Sequence, residues 1–206
     1  MPIAEAPYSE NDLRMLEDLA DQLHLALATR TPQIATEWKS RPAAVLVPLF
    51  EVDGEWRLLY TQRTDDVDAH PGQVSFPGGA IEADDGTPAA AALREAQEEI
   101  GLTSDRVRIL GEMNPMLTVT QFLVTPVVAQ IEWPFSMKIN PSEVAATFHV
   151  PLSFLADPDN LETRRREPLI PGRAVEVLYF RPYDGQVIWG VTARITVDLL
   201  DLIRSL

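Results

Sequence analysis

The 206-residue chain reads as an α/β protein, because strand-like and helix-like stretches alternate along it. Three observations carry that reading. Residues 43–50, Ala-Ala-Val-Leu-Val-Pro-Leu-Phe, form an apolar run of the kind found in buried strands. Residues 87–101 open on Thr87-Pro88, continue through Ala89 to Ala92 and close on Gly101, which is the punctuation of a helix. Leu13, Leu16, Leu19, Leu23 and Leu27 recur at helical spacing near the N-terminus.

Taken in order, Ser9 with Asp12 resembles a capping box, and the leucines after it predict an amphipathic helix. Residues 1–31 would then be an added N-terminal helical extension. It packs on the domain or on a partner subunit, which makes it a candidate homodimer contact, and its His24 is expected to be structural. A polar connection with Pro32 and Pro42 leads to the strand at 43–50. Asp53-Gly54 marks a hairpin turn, and Trp56 to Arg63 supplies the returning strand.

Thr64 to Gly72 is an acidic loop with Asp65, Asp66 and Asp68, where His70 is either a loop histidine or a general base. Gln73 to Phe76 is a short strand entering Pro77-Gly78-Gly79, a corner at which two glycines permit a sharp turn. Beyond the helix at 87–101, Val107 to Met113 and Phe122 to Ile131 read as strands, and Pro126 predicts an edge or a bulge in the second. Asn140-Pro-Ser-Glu143 precedes a strand to Val150 and a short helix over Pro151 to Leu155. Thr163-Arg-Arg-Arg166 is a dense cationic run, read either as a solvated loop or as a phosphate clamp. Val175 to Arg181 and Gln186 to Trp189 flank Asp184-Gly185 as a hairpin, and Thr192 to Ile203 is a closing apolar helix.

Composition bounds the function. With 46% hydrophobic residues the chain has enough apolar material for one well-buried domain. The absence of cysteine excludes disulfides, thiolate metal sites and a cysteine nucleophile. A net charge of -14 argues against nucleic-acid binding, which needs a basic footprint. No apolar run is long enough to span a bilayer and no leader pattern is seen, so no membrane association and a cytoplasmic location are expected.

Chemistry concentrates in the central helix. Glu95, Glu98 and Glu99 stand at i, i+3 and i+4, so a helix puts all three carboxylates on one face. Such crowding is destabilising unless a cation compensates it, and oxygen ligands suit Mg²⁺ or Mn²⁺. The alternative is an ordinary solvated acidic face. An EF-hand fails, because Gly86 would demand acidic residues where Ile81 and Ala83 stand.

The wider pattern resembles a known family. Gly79, five residues, Asp85, eight residues and then Arg94-Glu95-Ala96-Gln97-Glu98-Glu99-Ile100-Gly101-Leu102 are similar to the box G-x(5)-E-x(7)-R-E-U-x-E-E-x-G-U of Nudix hydrolases. Asp85 replaces Glu, Ala96 replaces a bulky aliphatic, and one residue is added before Arg94. Upstream, Leu58, Leu59, Thr61, Arg63, Gly72 and Phe76 to Gly79 fall in register with a signature of the coenzyme A pyrophosphatases of that family. Thr64 departs from it, as does Asp68, which stands where a basic residue is usual. Glu143-Val to Val150-Pro-Leu152 and Trp189 to Arg194 resemble the same subfamily.

The resemblance implies an α/β/α sandwich with a mixed sheet over about 40–206, in one domain spanning 1–206, with the box at 79–102. It implies metal held by Glu95, Glu98, Glu99 and the Gly79 carbonyl, with ions that neutralise a pyrophosphate and acidify a water. Arg94 would form an orienting ion pair, and Glu98 is the first choice for the essential carboxylate and base. Glu143 is the candidate for a loop-delivered carboxylate. Arg63 and Gly78, with Arg164 and Arg165 as a terminal-phosphate clamp, are the expected substrate contacts. Trp189 is expected in the core or a groove wall. The implied substrate is a small nucleotide, coenzyme A or acyl-coenzyme A, cleaved to 3′,5′-ADP and 4′-phosphopantetheine. Hydrolysis of ADP-ribose or another nucleoside diphosphate linked to X, a non-catalytic nucleotide sensor, and an acidic scaffold are the competing readings.

Overall fold

A computed structural model describes residues 10–30, 40–64, 72–166 and 175–206, without the side chains of 10–18, 166 and 175. Ser9, Pro32, Asp65, Asp66, Asp68 and His70, and the side chains of Leu13 and Leu16, lie outside the described residues. Helix α1 (Glu10–Ala28) is followed by β1 (Arg41–Val52), β2 (Glu55–Arg63), β3 (Val74–Ser75), β4 (Gly78–Ala80) and α2 (Pro88–Ile100). Then come β5 (Val107–Glu112), β6 (Met116–Leu117), β7 (Phe122–Ile131), β8 (Val144–Pro151) and α3 (Leu152–Ala156). Strands β9 (Leu161–Arg166) and β10 (Val175–Phe180) and helix α4 (Gly190–Arg204) complete the order.

Eight strands form one sheet with the path β3-β2-β1-β7-β5, onto which β4 joins at β1, β6 at β7 and β8 at β2. The sheet is mixed: β1 and β7 run parallel, whereas β1–β2, β2–β8 and β5–β7 are antiparallel. Residues of β1 alternate between its two faces, as a period of two requires. Val47 and Leu49 pack in a core with Leu23 and Leu27 of α1 and Leu199 of α4. Ala44, Leu46 and Phe50 pack on the opposite side with Ala91, Ala92, Ala96 and Ile100 of α2. Both faces are therefore covered, and the α/β/α sandwich with its added N-terminal helix is the architecture found. His24 is structural, since its Nδ1 donates to the Leu110 carbonyl at 2.8 Å. Among the described residues no helix is long and apolar enough to cross a membrane.

Two expectations are corrected. Of the edge or bulge expected at Pro126, the edge is overturned: strand β7 is interior, lying between β1 on one side and β5 and β6 on the other, and the irregularity lies in its pairing with β5 and β6. Pro126 is tolerated because it sits where the antiparallel partner changes from β5 to β6, between the pairs Glu112–Val127 and Met116–Val124. Its carbonyl still accepts from Met113 N at 2.9 Å, while its missing N–H falls in the break. Residues 163–166 form strand rather than a solvated loop, paired antiparallel with β10 in a separate two-stranded sheet. The expected hairpin at Asp184-Gly185 is present: Tyr183 and Gln186 exchange backbone hydrogen bonds at 2.9 Å across the turn, Phe180 N donates to Ile188 O at 2.8 Å, and Tyr179 bridges Trp189.

A buried polar chain connects this core to the glycine corner. Tyr60 OH lies 3.1 Å from Thr196 Oγ1, and Thr192 Oγ1 donates to the Val74 carbonyl at 3.1 Å. Helix α4 thus fixes β3, the strand that enters Pro77-Gly78-Gly79.

Candidate active site

Helix α2 begins and ends where its local chemistry dictates. Thr87 is extended and its side chain accepts from Ala90 N at 3.1 Å, and Pro88 follows at the first position. Gly101, at φ 71°, ends the helix in the left-handed region that a side chain disfavours. The buried alanines Ala91, Ala92 and Ala96 let the helix lie close to the sheet. That proximity brings Glu95 against β4. A Cβ at Gly79 would sit 2.6 Å from Glu95 Cδ, so a side chain there would push the Glu95 carboxylate away from the corner.

Carboxylate oxygens of Glu95, Glu99 and Glu143 lie within 4.8 Å of one another. Glu99 is 3% exposed, and its Oε2 has no hydrogen-bond partner among the described residues. Burial pushes the Glu99 carboxyl up to about 8, with Glu95 and Glu143 adding to the rise. The Arg63 charge and the Gly78 backbone pull in the other direction. Burial likewise raises Glu95, against the pull of Arg94. An orphaned buried oxygen among crowded carboxylates is costly without a positive charge. The hard, all-oxygen donor set fits a divalent cation of the Mg²⁺ type.

Arg94 organises the opposite flank. Its Nε and Nη2 donate to Asp85 Oδ1 and Oδ2 at 2.9 and 3.1 Å, a two-pronged pair that holds the Asp85 carboxyl below its usual range. Nη2 also reaches the Ala80 carbonyl at 3.1 Å. Nη1 donates to Glu95 Oε1 at 3.0 Å and to Glu98 Oε2 at 3.2 Å. Asp85 in turn accepts from Glu82 N at 2.7 Å, which orders the acidic loop ahead of the helix. The Glu98 side chain is 54% exposed, and Glu98 does not belong to the three-carboxylate cluster.

Glu143 arrives from the segment leading into β8. That segment runs along the open end of α2, where Lys138 N donates to Ile100 O at 3.0 Å and Asn140 N to Glu99 O at 2.9 Å. Sequence reasoning gave Asn140 no role, although Asn-Pro-Ser is a signal for an Asx turn. Arg63 ends β2 at a register shift beside Val144, and its Nε is buried without a hydrogen-bond partner among the described residues. Arg164 and Arg165 are placed on β9. Arg164 donates to Glu162 Oε2 at 3.0 Å and covers the Tyr179 ring at 4.5 Å, and Trp189 stacks on Tyr179 at 5.6 Å. Among the described residues no hydrogen bond or ion pair joins these arginines to the carboxylate cluster.

Comparison with known proteins bears on the family and the fold. A family model described as NUDIX domain matches residues 39–171. The chain is 35% identical over 192 residues to the uncharacterized Nudix hydrolase NudL of Photorhabdus laumondii, covering 92% of this chain and 98% of that one. Its identity to NudL of an Enterobacter species is 40% over 161 residues, covering 77% and 81%. In fold it is similar to a MutT/nudix family protein from Enterococcus faecalis, with a TM-score of 0.54 at 14% identity, covering 98% of this chain and 76% of that one. A domain match over most of the chain, with relatives aligned along nearly their whole length, shows that the chain belongs to the Nudix family.

Proposed function

We propose that this chain hydrolyses the pyrophosphate bond of a nucleoside diphosphate derivative, with coenzyme A or an acyl-coenzyme A as the substrate. The products are 3′,5′-ADP and the 4′-phosphopantetheine moiety. One observation carries the reading: the buried Glu99 Oε2, without a hydrogen-bond partner among the described residues, within a cluster that includes Glu95 and Glu143. Mg²⁺ or Mn²⁺, when bound, supplies neutralisation of the pyrophosphate charge and a more acidic water.

The remaining roles fall to the chain itself. Glu95, Glu99 and Glu143 hold the cation, joined by the Gly79 carbonyl. Arg94 orients Glu95 through Nη1 and is itself fixed by Asp85. Glu98, exposed at the rim yet tethered to Arg94, is assigned both as a further metal ligand and as the group that accepts a proton from water. Arg63 and the Gly78 backbone receive the substrate phosphates at the corner. Arg164 and Arg165 meet a terminal phosphate, because guanidinium binds phosphate through paired hydrogen bonds. With a net charge of -14 the overall field repels an anion, so these local cations must draw it in.

A second reading has one observation in its favour. Asp68 puts an anion where the coenzyme A signature carries a cation, which favours another nucleoside diphosphate linked to X, such as ADP-ribose. A product assay with Mg²⁺ or Mn²⁺ across coenzyme A, acyl-coenzyme A, ADP-ribose, NADH and diadenosine polyphosphates separates the two. Release of 3′,5′-ADP from coenzyme A alone supports the first reading, and preference for ADP-ribose supports the second. Binding without turnover across the panel would leave a nucleotide sensor.

A further inference from the structure

We infer that Asn140 is a positioning residue of this site, whose side-chain amide holds the Glu143 carboxylate in the cluster with Glu95 and Glu99. The inference rests on the metal-site reading above. Asn140 touches the cluster from two directions. Its backbone N–H donates to the Glu99 carbonyl at 2.9 Å, which anchors it to the helix residue bearing the orphaned oxygen. Its own carbonyl accepts from Glu143 N at 3.1 Å and Val144 N at 2.9 Å. Thr64 N donates to the Glu143 carbonyl at 3.1 Å, so the backbone of Glu143 is gripped on both sides.

The side chain completes the grip. Asn140 Oδ1 accepts from Ser142 N at 3.2 Å and from Ser142 Oγ at 2.7 Å. A backbone N–H can only donate, so the amide oxygen must face Ser142 and Nδ2 must face Glu143. Nδ2 then donates to Glu143 Oε1 at 3.2 Å. Without that bond, repulsion from Glu95 and Glu99 and the rotamer freedom of a glutamate both favour swinging Glu143 into solvent. An amide suits the task better than a cation. It orients the carboxylate while leaving its negative charge available, whereas an arginine would neutralise it.

The test is calorimetric titration of Mn²⁺ into the full chain, its Asn140→Ala and Glu143→Gln variants, and the double variant, with a thermal melt of each. Asn140→Ala is expected to weaken Mn²⁺ binding about tenfold, the scale of losing a residue that orients a ligand. In the Glu143→Gln background the same change should cost nothing further. Asn140→Ser keeps an oxygen for the turn but has no amide donor, so it should weaken Mn²⁺ equally while its melting point stays at the wild-type value. Full-strength binding by both Asn140 variants overturns the inference, as does an additive loss in the double variant. A wild-type chain that binds no Mn²⁺ overturns the site reading and this inference together. The titration reads binding rather than turnover, so failure of the proposed reaction and failure of this inference are separate results.

Discussion

Along α2, Glu98 meets solvent with its side chain 54% exposed and one oxygen 3.2 Å from Arg94, whereas Glu99, the next residue, is 3% exposed with an oxygen that has no partner among the described residues. The helix therefore carries two electrostatic regimes. On the Arg94 flank every carboxylate is answered by a guanidinium hydrogen bond: Asp85, Glu95 and Glu98 all accept from it. On the Glu99 flank the charge of Arg63 pulls on the carboxylate, but its buried Nε makes no hydrogen bond among the described residues. A fold selected only for stability would pair or replace such a group, because a buried carboxyl without a cation is driven to hold its proton at the expense of stability as pH rises. The difference teaches that Arg94 sets geometry, while the Glu99 side keeps a buried carboxyl without a cationic hydrogen-bond partner among the described residues, the place the proposed divalent cation would take.

The sharpest way to break this contrast is Glu99→Gln. It keeps the shape and removes the charge, so Mn²⁺ affinity should collapse and turnover fall about a thousandfold, on the scale of losing a principal electrostatic group. The metal-free melting point should hold or rise, since a desolvated carboxyl is gone. Normal turnover at saturating Mg²⁺ would show that the orphaned oxygen is not part of the site. Glu98→Gln should fail differently: kcat falls about a hundredfold, as for loss of a general base, while Mn²⁺ affinity, losing an exposed ligand at the rim, drops less than in Glu99→Gln. If Glu98→Gln instead lost the metal while Glu99→Gln kept it, the two flanks would have to exchange roles.

The smallest expected effect is a pH dependence of stability in chelator. Glu99 titrates near 8 in the folded chain against an ordinary value of 4.5, so between these pH values the native state keeps a proton that the unfolded state releases. Its stabilising contribution is full below about 4.5 and is lost as pH rises towards about 8, so the metal-free melting point should fall across that window. Asp85, shifted downward by Arg94, acts in the other sense and loses its contribution only on acidification. Saturating Mn²⁺, or Glu99→Gln, should flatten the slope between pH 5 and 8. An unchanged slope in Glu99→Gln would assign it to another group.

Much of the fold is legible in the sequence because its signals are local. Thr87, Pro88 and Gly101 bound α2 through contacts a few residues long, and the unbroken apolar run at 43–50 announces a buried strand, which the fold covers on both faces. Pro126 and the arginines at 164–166 mislead for the opposite reason. The tolerance of a proline depends on which strands flank it, and the charged run becomes strand because its backbone pairs with 175–180 and Arg164 lies over Tyr179. In the site, the spacing of Glu95 and Glu99 follows from helix geometry alone. Which carboxylates actually meet does not, since Glu98 turns to Arg94 and Glu143 enters on a segment held by Asn140.

By itself the sequence determined the limits of the central helix, the glycine corner ahead of it and the row of glutamates along one face. Backbone hydrogen bonds and side-chain spacing within a few residues are enough to specify those. Only the tertiary structure decided that Glu99 would be buried, that Glu143 would join it and that one oxygen would be left without a partner among the described residues. Burial and desolvation are set by whatever packs in from distant parts of the chain, and no local pattern encodes them.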